Sequence, residues 1–340
     1  MKPDQAERLT VMQSVTVRAP ARLHLGFLDL NASIGRRFGS IGLAIGSHHT
    51  ALSVSPAESL CIEDETLLAE TRSRLEKIHQ LFYQTVGRAV PQTQQSVLIQ
   101  VHELIPEHAG LGSGTQLALT LGTALARLHG LKLSTVDLAK ALGRGKRSGI
   151  GISTFDLGGF VIDGGLKPEQ TVPPVLMHQS YPEQWRVVMV MDPHHQGIHG
   201  QHEKAAFSRL PTFPLQNSRA ICHLTLMQLL PSLAEQDIAN FGNAVTEIQT
   251  LIGDHFASAQ GGRYTSPLVA ACLEQAHKLG HTGIAQSSWG PTGCIFVSSQ
   301  TAAEQLIQQL QAFTAAEPAS QPVFISAAAD NQGAIIETVI

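Results

Sequence analysis

One segment restricts the possible folds of this chain more than any other: a glycine-rich stretch between a predicted strand and a predicted apolar helix. Residues 94–105 alternate between apolar and polar side chains, as in a half-buried strand, and residues 116–128 are almost wholly apolar, as in a buried helix. Glycine lets a ligand approach the backbone closely, and the N–H groups at a helix N-terminus favour an anion. The segment therefore predicts a cradle for a phosphate or diphosphate group, and a strand-to-helix turn without a ligand is the alternative. The sequence there reads Pro106-Glu-His-Ala-Gly110-Leu-Gly112-Ser113-Gly114-Thr115-Gln116.

The rest of the chain alternates between predicted strands and predicted helices. Further strands are predicted at 14–20, 160–165, 185–192, within 283–299, and near 322–327 and 334–339. Further helices are predicted at 65–86, 134–143, 203–209, 216–230, 234–252, 266–279 and 301–314. Helices that pack on mostly antiparallel strands imply an α+β class. The proline-rich stretch 166–183 predicts a linker, so we expect an N-terminal domain over residues 1–170 and a C-terminal domain over residues 171–340.

The composition excludes several classes of protein. Hydrophobic residues make up 43% of the chain and charged residues only 15%, which excludes a disordered, collagen-like or coiled-coil protein. The formal net charge of -4 argues against a general binder of nucleic acid or of anionic membranes. The cysteines form no CxxC pair, and the opening sequence MKPDQAERLT lacks the apolar core of a secretory signal. We therefore expect a cytoplasmic protein without a nucleic-acid or membrane partner.

A second segment carries three cations among four glycines, in the order Gly143-Arg144-Gly145-Lys146-Arg147-Ser148-Gly149-Ile150-Gly151. The forked guanidinium of arginine matches phosphate oxygens, and glycine permits close approach. The pattern predicts phosphate ligation by Arg144, Lys146, Arg147 and Ser148. A solvated basic loop is the alternative.

A third candidate lies near the start of the chain, where Arg22 and His24 share one face of a predicted strand. Arg36 and Arg37 follow, and they add a possible clamp for a carboxylate or a phosphate. The edge of a surface strand explains the same residues without a ligand.

The polar loop after residue 192 holds four histidines and Glu203. Imidazole and carboxylate groups together suit a divalent metal, but their spacing here matches no known zinc pattern. Three hypotheses stay open for this loop: a transition-metal site, a substrate-binding loop and a polar surface loop. We retain Glu203 as its candidate functional residue.

A late loop, residues 286–293, lies between two predicted strands and contains Ser288, Trp289 and Gly290. Hydroxyls, an indole and two glycines in one turn predict a loop that stacks on an aromatic ligand or closes over a phosphate. A tight hairpin with a core tryptophan is the alternative.

Taken together, these segments resemble the GHMP superfamily, whose small-molecule kinases share a PxxxGLGSS phosphate loop. Residues 106–115 match that loop, with Gly114 at the position of the second serine. Residues 19–22 and 289–293 lie where the first and third superfamily motifs fall. The resemblance implies an N-terminal domain like domain 2 of ribosomal protein S5 and a ferredoxin-like C-terminal domain.

One position differs from the kinases of that superfamily. Many of them carry a catalytic Asp in an S-G-x-D run, seven residues before a Gly-Gly pair. Here Gly151 stands at that position, seven residues before Gly158-Gly159, and Asp156 is out of register. Transfer of phosphate from ATP to an alcohol would lack its usual base, so ATP is not expected as a cofactor.

Within the superfamily, the chain is more similar to the β-ribofuranosylaminobenzene 5'-phosphate synthase family. The motifs of that family resemble RxHxxxxDxN, GLGSGTQ, GRGxxSGIG and FxxGGFxxDGG. This chain matches them in order at residues 22–31, 110–116, 143–151 and 155–165. Residues 185–186, 203–207 and 260–264 extend the likeness into the second half of the chain.

The resemblance implies transfer of ribose 5-phosphate from 5-phosphoribosyl 1-diphosphate to 4-hydroxybenzoate or 4-aminobenzoate, with loss of CO2 and diphosphate, in tetrahydromethanopterin biosynthesis. Positive charge stabilises a departing diphosphate, so segments 110–116 and 144–148 are expected to hold the phosphate groups. Arg22, Arg36 or Arg37 would hold the benzoate carboxylate, and Asp163 or Glu203 would orient the para OH or NH2 group. Mg2+ is expected with the diphosphate, and the family implies a homodimer.

Two other functions stay open on the sequence alone. A GHMP-type kinase that uses ATP on a small alcohol shares the phosphate loop, and the missing Asp at Gly151 argues against it. A non-catalytic protein that retains the phosphate cradle would bind its ligand without turnover.

Overall fold

The structure is a computed structural model that describes residues 13–63, 68–197, 210–315 and 321–339. The first sheet contains β1 (Ser14–Asp29), β2 (Phe38–Pro56), β3 (Cys61–Glu63), β4 (Val97–Glu103), β5 (Phe160–Asp163), β6 (Val175–Gln179) and β11 (Ile335–Val339). The second sheet contains β7 (Arg186–Met191), β8 (Ile284–Gln286), β9 (Thr292–Val297) and β10 (Val323–Ala327). The helices are α1 (Ala69–Gln84), α2 (Ser113–Leu128), α3 (Thr135–Ala141), α4 (Ile150–Leu157), α5 (Leu215–Leu224), α6 (Leu230–Glu235), α7 (Ile238–Gln260), α8 (Pro267–Lys278) and α9 (Gln300–Thr314). A π-helical turn, Thr225–Leu229, joins α5 to α6, and a 3-10 turn, Gln92–Gln94, precedes β4.

The long antiparallel pair of β1 and β2 forms the centre of the first sheet, whose order is β11-β1-β2-β4-β3. Strands β5 and β6 extend the sheet from residues 40–43 of β2. Helix α2 contacts β1, β2 and three neighbouring helices, and its Leu117, Leu121 and Leu125 share one core with Val15 and Leu52. Because α2 is covered on several sides, its sequence is apolar almost all round. This burial holds the N-terminus of α2, and the glycine-rich turn before it, in one place.

The second sheet is antiparallel, in the order β10-β7-β9-β8, and it is buried on both faces. Along β7, Val188 and Val190 pack in a core with α8 and α9, whereas Val187 and Met189 pack in a core with β1 residues such as Leu23. Successive side chains of a strand point to opposite faces, so burial of both faces explains the unbroken apolar run of β7. The core that contains Leu23 joins the two sheets.

The α+β prediction is confirmed, and several elements differ from those predicted. Strand β2 and helix α4 were not predicted, and β6 lies inside the predicted linker. The predicted helix at 203–209 lies outside the described residues. Strands β6 and β11 pair with β5 and β1, so the first sheet takes strands from both sides of the predicted boundary at residue 170. Among the described helices, none has the length and hydropathy of a membrane span.

Candidate functional site

The glycine-rich segment forms a tight turn that opens helix α2. Gly110 and Gly112 both have left-handed backbone angles, with φ of 82° and 85°, which strongly favour glycine. A Cβ atom on Gly110 would lie 2.3 Å from the carbonyl oxygen of Ser287, so no side chain fits there. The first hydrogen bonds of the helix run from the amides of Thr115 and Gln116 to the carbonyl of Gly112. The amides that precede them lie at the positive end of the helix dipole, where an anion is stabilised.

A cleft of about 510 Å³ opens in front of this helix N-terminus. Its walls come from β1, α1, the glycine-rich turn, the basic segment and the late loop. The lining residues are Arg22, Glu70, Arg74, His108, Gly110, Gly112, Ser113, Gly114, Thr115, Arg144, Arg147, Gly197, Ser288, Trp289 and Gly290. The structure therefore brings together residues of four predicted groups that are far apart in the sequence: the early strand with Arg22, the glycine-rich turn, the basic segment and the late loop.

The arginines of this cleft surround the start of α2. The Arg22 side chain passes over Gly112, and its Nη1 donates a hydrogen bond to the carbonyl of Gly110 at 2.5 Å. At Gly114, a Cβ atom would lie 2.8 Å from Nη2 of Arg74 and 3.5 Å from Nη1 of Arg144. Guanidinium groups at a helix N-terminus are placed for a multiply charged phosphate ligand.

Arg144 is held in an unfavourable electrostatic position. Burial lowers the pKa of its guanidinium, and the neighbouring positive charge of Arg74 lowers that pKa further. Its Nε atom is buried and has no hydrogen-bond partner among the described residues. Arg74 is paired with Glu107, whose carboxylate also accepts a hydrogen bond from the Thr71 hydroxyl at 3.1 Å. An anion in the cleft would therefore relieve like-charge repulsion and satisfy a buried donor.

The late loop closes the cleft from the second sheet. The Ser287 hydroxyl donates to the carbonyl of Gly110, and the Thr292 hydroxyl donates to the carbonyl of Ala109, each at 2.7 Å. The amide of His24 donates to the Ser287 hydroxyl at 3.0 Å, which connects the loop to β1 as well. The predicted residues Ser288, Trp289 and Gly290 line the cleft, and the hydroxyls of Ser287 and Thr292, in the same predicted loop, position it.

Asp163 organises the basic segment and does not line the cleft that the described residues form. Its buried carboxylate accepts hydrogen bonds from the amides of Gly149 at 2.8 Å and Gly165 at 2.9 Å, and a longer one of 3.4 Å from the Ser148 hydroxyl. Burial raises the pKa of Asp163 to about 6, although these amide donors favour the ionised form. Gln116 donates from Nε2 to the carbonyl of Gly151 at 2.9 Å. Three predicted residues, Asp163, Ser148 and Gln116, thus hold the segment that carries the cleft arginines.

The structure places the remaining predicted residues elsewhere. The Arg36 guanidinium donates to the carbonyls of Gly164 and Gly165, and Arg37 lies over the ring of Phe38 at 5.1 Å, so neither belongs to the described lining of the cleft. Lys146 is exposed and is likewise absent from that described lining. Glu203 lies outside the described residues.

Arg74 and Glu107 are the functional candidates that the sequence analysis missed. Arg74 lies on α1, an amphipathic helix in which no motif marks it, and only the packing of α1 beside α2 brings it to Gly114. Within the described ranges, one group of three side chains could hold a metal ion: Glu70, Glu107 and His108, whose ligand atoms lie within 4.8 Å of one another. This group borders the same cleft.

Both halves of the chain match GHMP kinase families. The GHMP kinases N terminal domain matches residues 75–159, and GHMP kinases C terminal matches residues 229–316. The mevalonate diphosphate decarboxylase from Staphylococcus aureus has a similar structure, with a TM-score of 0.68 at 17% identity over 98% of this chain and 99% of that chain. The homoserine kinase from Cytophaga hutchinsonii has a TM-score of 0.63 at 17% identity over 99% and 100% of the two chains. The predicted GHMP-kinase-like fold is confirmed.

Sequence comparison finds more similar relatives. A beta-ribofuranosylphenol 5'-phosphate synthase from Archaeoglobus fulgidus is 34% identical over 288 residues, which cover 81% of this chain and 85% of that protein. A protein of the same name from Methanocaldococcus jannaschii is 30% identical over 293 residues, which cover 81% and 87% of the two chains. The matched region includes most of the length of both relatives.

Proposed function

Since this chain belongs to the beta-ribofuranosylphenol 5'-phosphate synthase family, within the GHMP superfamily, we propose that it is a pentosyltransferase that uses 5-phosphoribosyl 1-diphosphate. The acceptor is 4-hydroxybenzoate or 4-aminobenzoate, and the product is a β-ribofuranosyl-arene 5'-phosphate. The bond from ribose C1 to diphosphate breaks, and a bond from C1 to the carboxyl-bearing ring carbon forms. CO2 then leaves and its bonding electrons return to the ring, so the net reaction needs no external proton donor or acceptor.

One observation carries this proposal: Arg22, Arg74, Arg144 and Arg147 meet at the N-terminus of α2 in a single cleft. Loss of diphosphate leaves positive charge on the ribose and negative charge on the leaving group. Preorganised donors and cations around the leaving anion lower the barrier of such a step. The cleft supplies both the donors and the cations. Glu70, the one carboxylate in its described lining, is exposed.

The site offers little support for a kinase. Gly151, at the position of the expected catalytic Asp, is buried against the side chain of Thr115. A Cβ atom there would lie 3.0 Å from Cγ2 of Thr115, so a larger side chain would require local movement. A kinase remains an outcome that the assay below can detect.

We include Mg2+ in the proposal, bound beside the diphosphate. Magnesium prefers oxygen ligands and is commonly held by one or two carboxylates together with substrate phosphates. Glu70 and Glu107 fit that requirement, and His108 completes the group of three. The ion would neutralise charge on the leaving diphosphate. Glu107 would then be shared between Mg2+ and Arg74.

We also propose a homodimer in the cytoplasm, acting in tetrahydromethanopterin biosynthesis. Light scattering of the purified protein tests the dimer directly. A monomer at micromolar concentration would contradict it.

The decisive assay incubates the purified protein with Mg2+, 5-phosphoribosyl 1-diphosphate and carboxyl-labelled 4-hydroxybenzoate or 4-aminobenzoate. We expect labelled CO2 that requires both substrates and falls at least about tenfold in Arg147→Ala, because a lost charge-assisted hydrogen bond contributes roughly 1.5–3 kcal/mol. Arg88→Ala, which removes an exposed arginine, is the matched control and should keep wild-type turnover. Absence of CO2 from either acid, with ATP consumed in the presence of a small alcohol, would replace this function by a kinase.

A further inference from the structure

A second, narrower pocket lies beside the arginine cleft, and Ser288 and Trp289 line both. One wall consists of His24 and Phe27 of β1, whose rings touch edge to face with centroids 4.7 Å apart. The other contains Phe256 of α7, whose ring meets the Trp289 ring at 5.0 Å and 69°. The pocket is therefore aromatic on two sides and adjoins the place assigned to the ribose donor.

The ring of His24 lines this pocket and carries a buried nitrogen that has no hydrogen-bond partner among the described residues. His24 is 5% exposed, and this nitrogen is Nε2. Burial, followed by the positive charges of Arg22 and Arg147, lowers the pKa of His24 to about 3, so the imidazole is neutral at neutral pH. The ring also makes a hydrogen bond to the backbone of His24 itself, and because Nε2 has no partner we assign that bond to Nδ1. In that tautomer Nδ1 carries the hydrogen and Nε2 carries a lone pair.

Two glutamines of this pocket, Gln249 and Gln286, already have hydrogen-bond partners. Gln249 donates to the carbonyl of Leu25 at 2.6 Å and accepts from the amide of Gln286 at 2.9 Å. Gln286 in turn accepts from the amide of Thr265 at 2.6 Å. A buried polar atom without a partner is uncommon in a native protein and commonly marks a place where a ligand or a water binds. The His24 nitrogen therefore points to a ligand that donates a hydrogen bond.

The size of the pocket indicates which part of a ligand enters it. The volume of the pocket is about 30 Å³. One water molecule occupies roughly 30 Å³ in the liquid, and a cavity that binds benzene has roughly 150 Å³. A hydroxyl or amino group fits, and a whole ring would extend toward the cleft. Arg22 stands two residues before His24 on the same face of β1 and lines the adjoining cleft, so it is placed to meet the carboxylate of a ring that extends there.

We propose that this pocket is the acceptor subsite, in which Nε2 of His24 accepts a hydrogen bond from the para OH or NH2 group of the aromatic acid while the carboxyl-bearing carbon faces the arginine cleft. This inference rests on the proposed function and assigns the para contact to His24 instead of Asp163 or Glu203. A neutral acceptor nitrogen accommodates an OH or an NH2 donor equally well. The ring then extends from the pocket past Trp289 into the cleft, with its carboxylate toward Arg22.

The same contact gives His24 a chemical role. As C1 bonds to the ring and the diphosphate leaves, positive charge develops on the para oxygen or nitrogen, which becomes strongly acidic. Its proton moves to Nε2 of His24. When CO2 leaves, the electron pair of its bond restores the aromatic ring, and the proton returns from His24 to the para substituent. The atoms and charges balance without any further reactant.

The test compares two ligands in His24→Leu and in the wild type. With 4-hydroxybenzoate as the acceptor, the variant should show a KM about tenfold or more above the wild-type value, the usual loss for one buried hydrogen bond, and a lower kcat. Inhibition by 4-fluorobenzoate should change by less than about twofold, because fluorine has no hydrogen to donate. His24→Gln, which keeps an acceptor, should recover part of the loss in KM but little of the loss in kcat. His223→Leu, at an exposed histidine, is the matched control.

Each outcome decides between the explanations. Wild-type protein that releases no CO2 overturns the proposed function itself. An active wild type, with a KM for the hydroxy acid that His24→Leu leaves unchanged, overturns only the acceptor subsite. Parallel weakening of 4-hydroxybenzoate and 4-fluorobenzoate assigns His24 a structural role and also overturns it. If His24→Leu does not fold, 4-methoxybenzoate tests the contact in the wild-type protein. Its methoxy group has no hydrogen to donate and is larger than the pocket, so turnover at the 4-hydroxybenzoate rate would refute the contact.

Discussion

Arg144→Met should make the ligand-free protein more stable and the enzyme less active. The guanidinium of Arg144 is largely buried, its Nε has no partner among the described residues, and Arg74 stands beside it. Methionine matches the arginine side chain in length up to Nε, and it removes both the unpaired donor and the repulsion. Opposite effects on stability and function are expected only where a charge is kept for a ligand.

The magnitudes follow from these contacts. An unsatisfied buried donor costs about 1–3 kcal/mol, so its removal should raise the unfolding free energy by about that amount, reduced by whatever packing methionine fails to restore. A charge-assisted hydrogen bond to a phosphate contributes about 1.5–3 kcal/mol, so the dissociation constant for diphosphate should rise roughly 10- to 150-fold. At a diphosphate concentration about 100 times the wild-type dissociation constant, the wild type gains about 2.7 kcal/mol of stability from the ligand. The variant should gain only a fraction of this.

Thermal unfolding with and without inorganic diphosphate measures both effects in one experiment. We expect the melting temperature of Arg144→Met to be above that of the wild type without diphosphate, and its increase on adding diphosphate to be smaller. Arg88→Met, at an exposed arginine, should change neither quantity. A lower melting temperature without ligand, or equal stabilisation of both proteins by diphosphate, would contradict the role assigned to Arg144.

Three further predictions concern the groups around the cleft. Ser287→Ala leaves the amide of His24 without its partner and removes one of the two hydrogen bonds to the carbonyl of Gly110, which Arg22 still satisfies, so the unfolding free energy should fall by about 1–3 kcal/mol in chemical denaturation, and an unchanged value would contradict the role of this hydroxyl. Asp163 has a folded pKa raised to about 6 from 3.8, so its carboxyl contributes stability below pH 4 that is lost as pH rises through 6. Relative to Asp163→Asn, the wild type should therefore lose up to about 3 kcal/mol between pH 4 and pH 7, and a pH-independent difference would contradict this. Glu70→Gln should raise the Mg2+ concentration needed for half-maximal CO2 release severalfold, and an unchanged requirement would remove Glu70 as a metal ligand.

Much of the fold could be predicted because its signals are local. Helix α2 is apolar along its length, and α3 begins with a capping box in which Ser134 and Asp137 bond each other's backbone amides, so both were predicted close to their observed bounds. Strand β2 was not predicted, because its Gly, Ser and His residues give no regular alternation and it is stabilised by pairing with β1, β4 and β5. Helix α4 is short and follows a glycine-rich segment, so no periodicity marks it.

The residues of the candidate site likewise divide into those that local sequence signals predicted and those that only the folded structure brought together. The glycine-rich turn and the basic segment were found from the sequence because glycines and arginines in short runs have few structural uses. Arg36 and Arg37 belong to an equally suggestive run, but their surroundings are set by the folded chain: Arg36 binds the carbonyls of Gly164 and Gly165. Arg74 has no motif at all and enters the cleft through the packing of α1.

The amino-acid sequence alone indicates which segments can approach a phosphate, since a glycine backbone and a helix N-terminus act over a few residues. Which charges converge there, and which buried atom stays unsatisfied, depends on the folded chain. Arg22 meets Gly110 across 88 residues and Ser287 meets it across 177, contacts that exist only after the two sheets pack around their shared core. A side chain's charge is encoded locally, whereas its partners, burial and pKa depend on every element that packs against it.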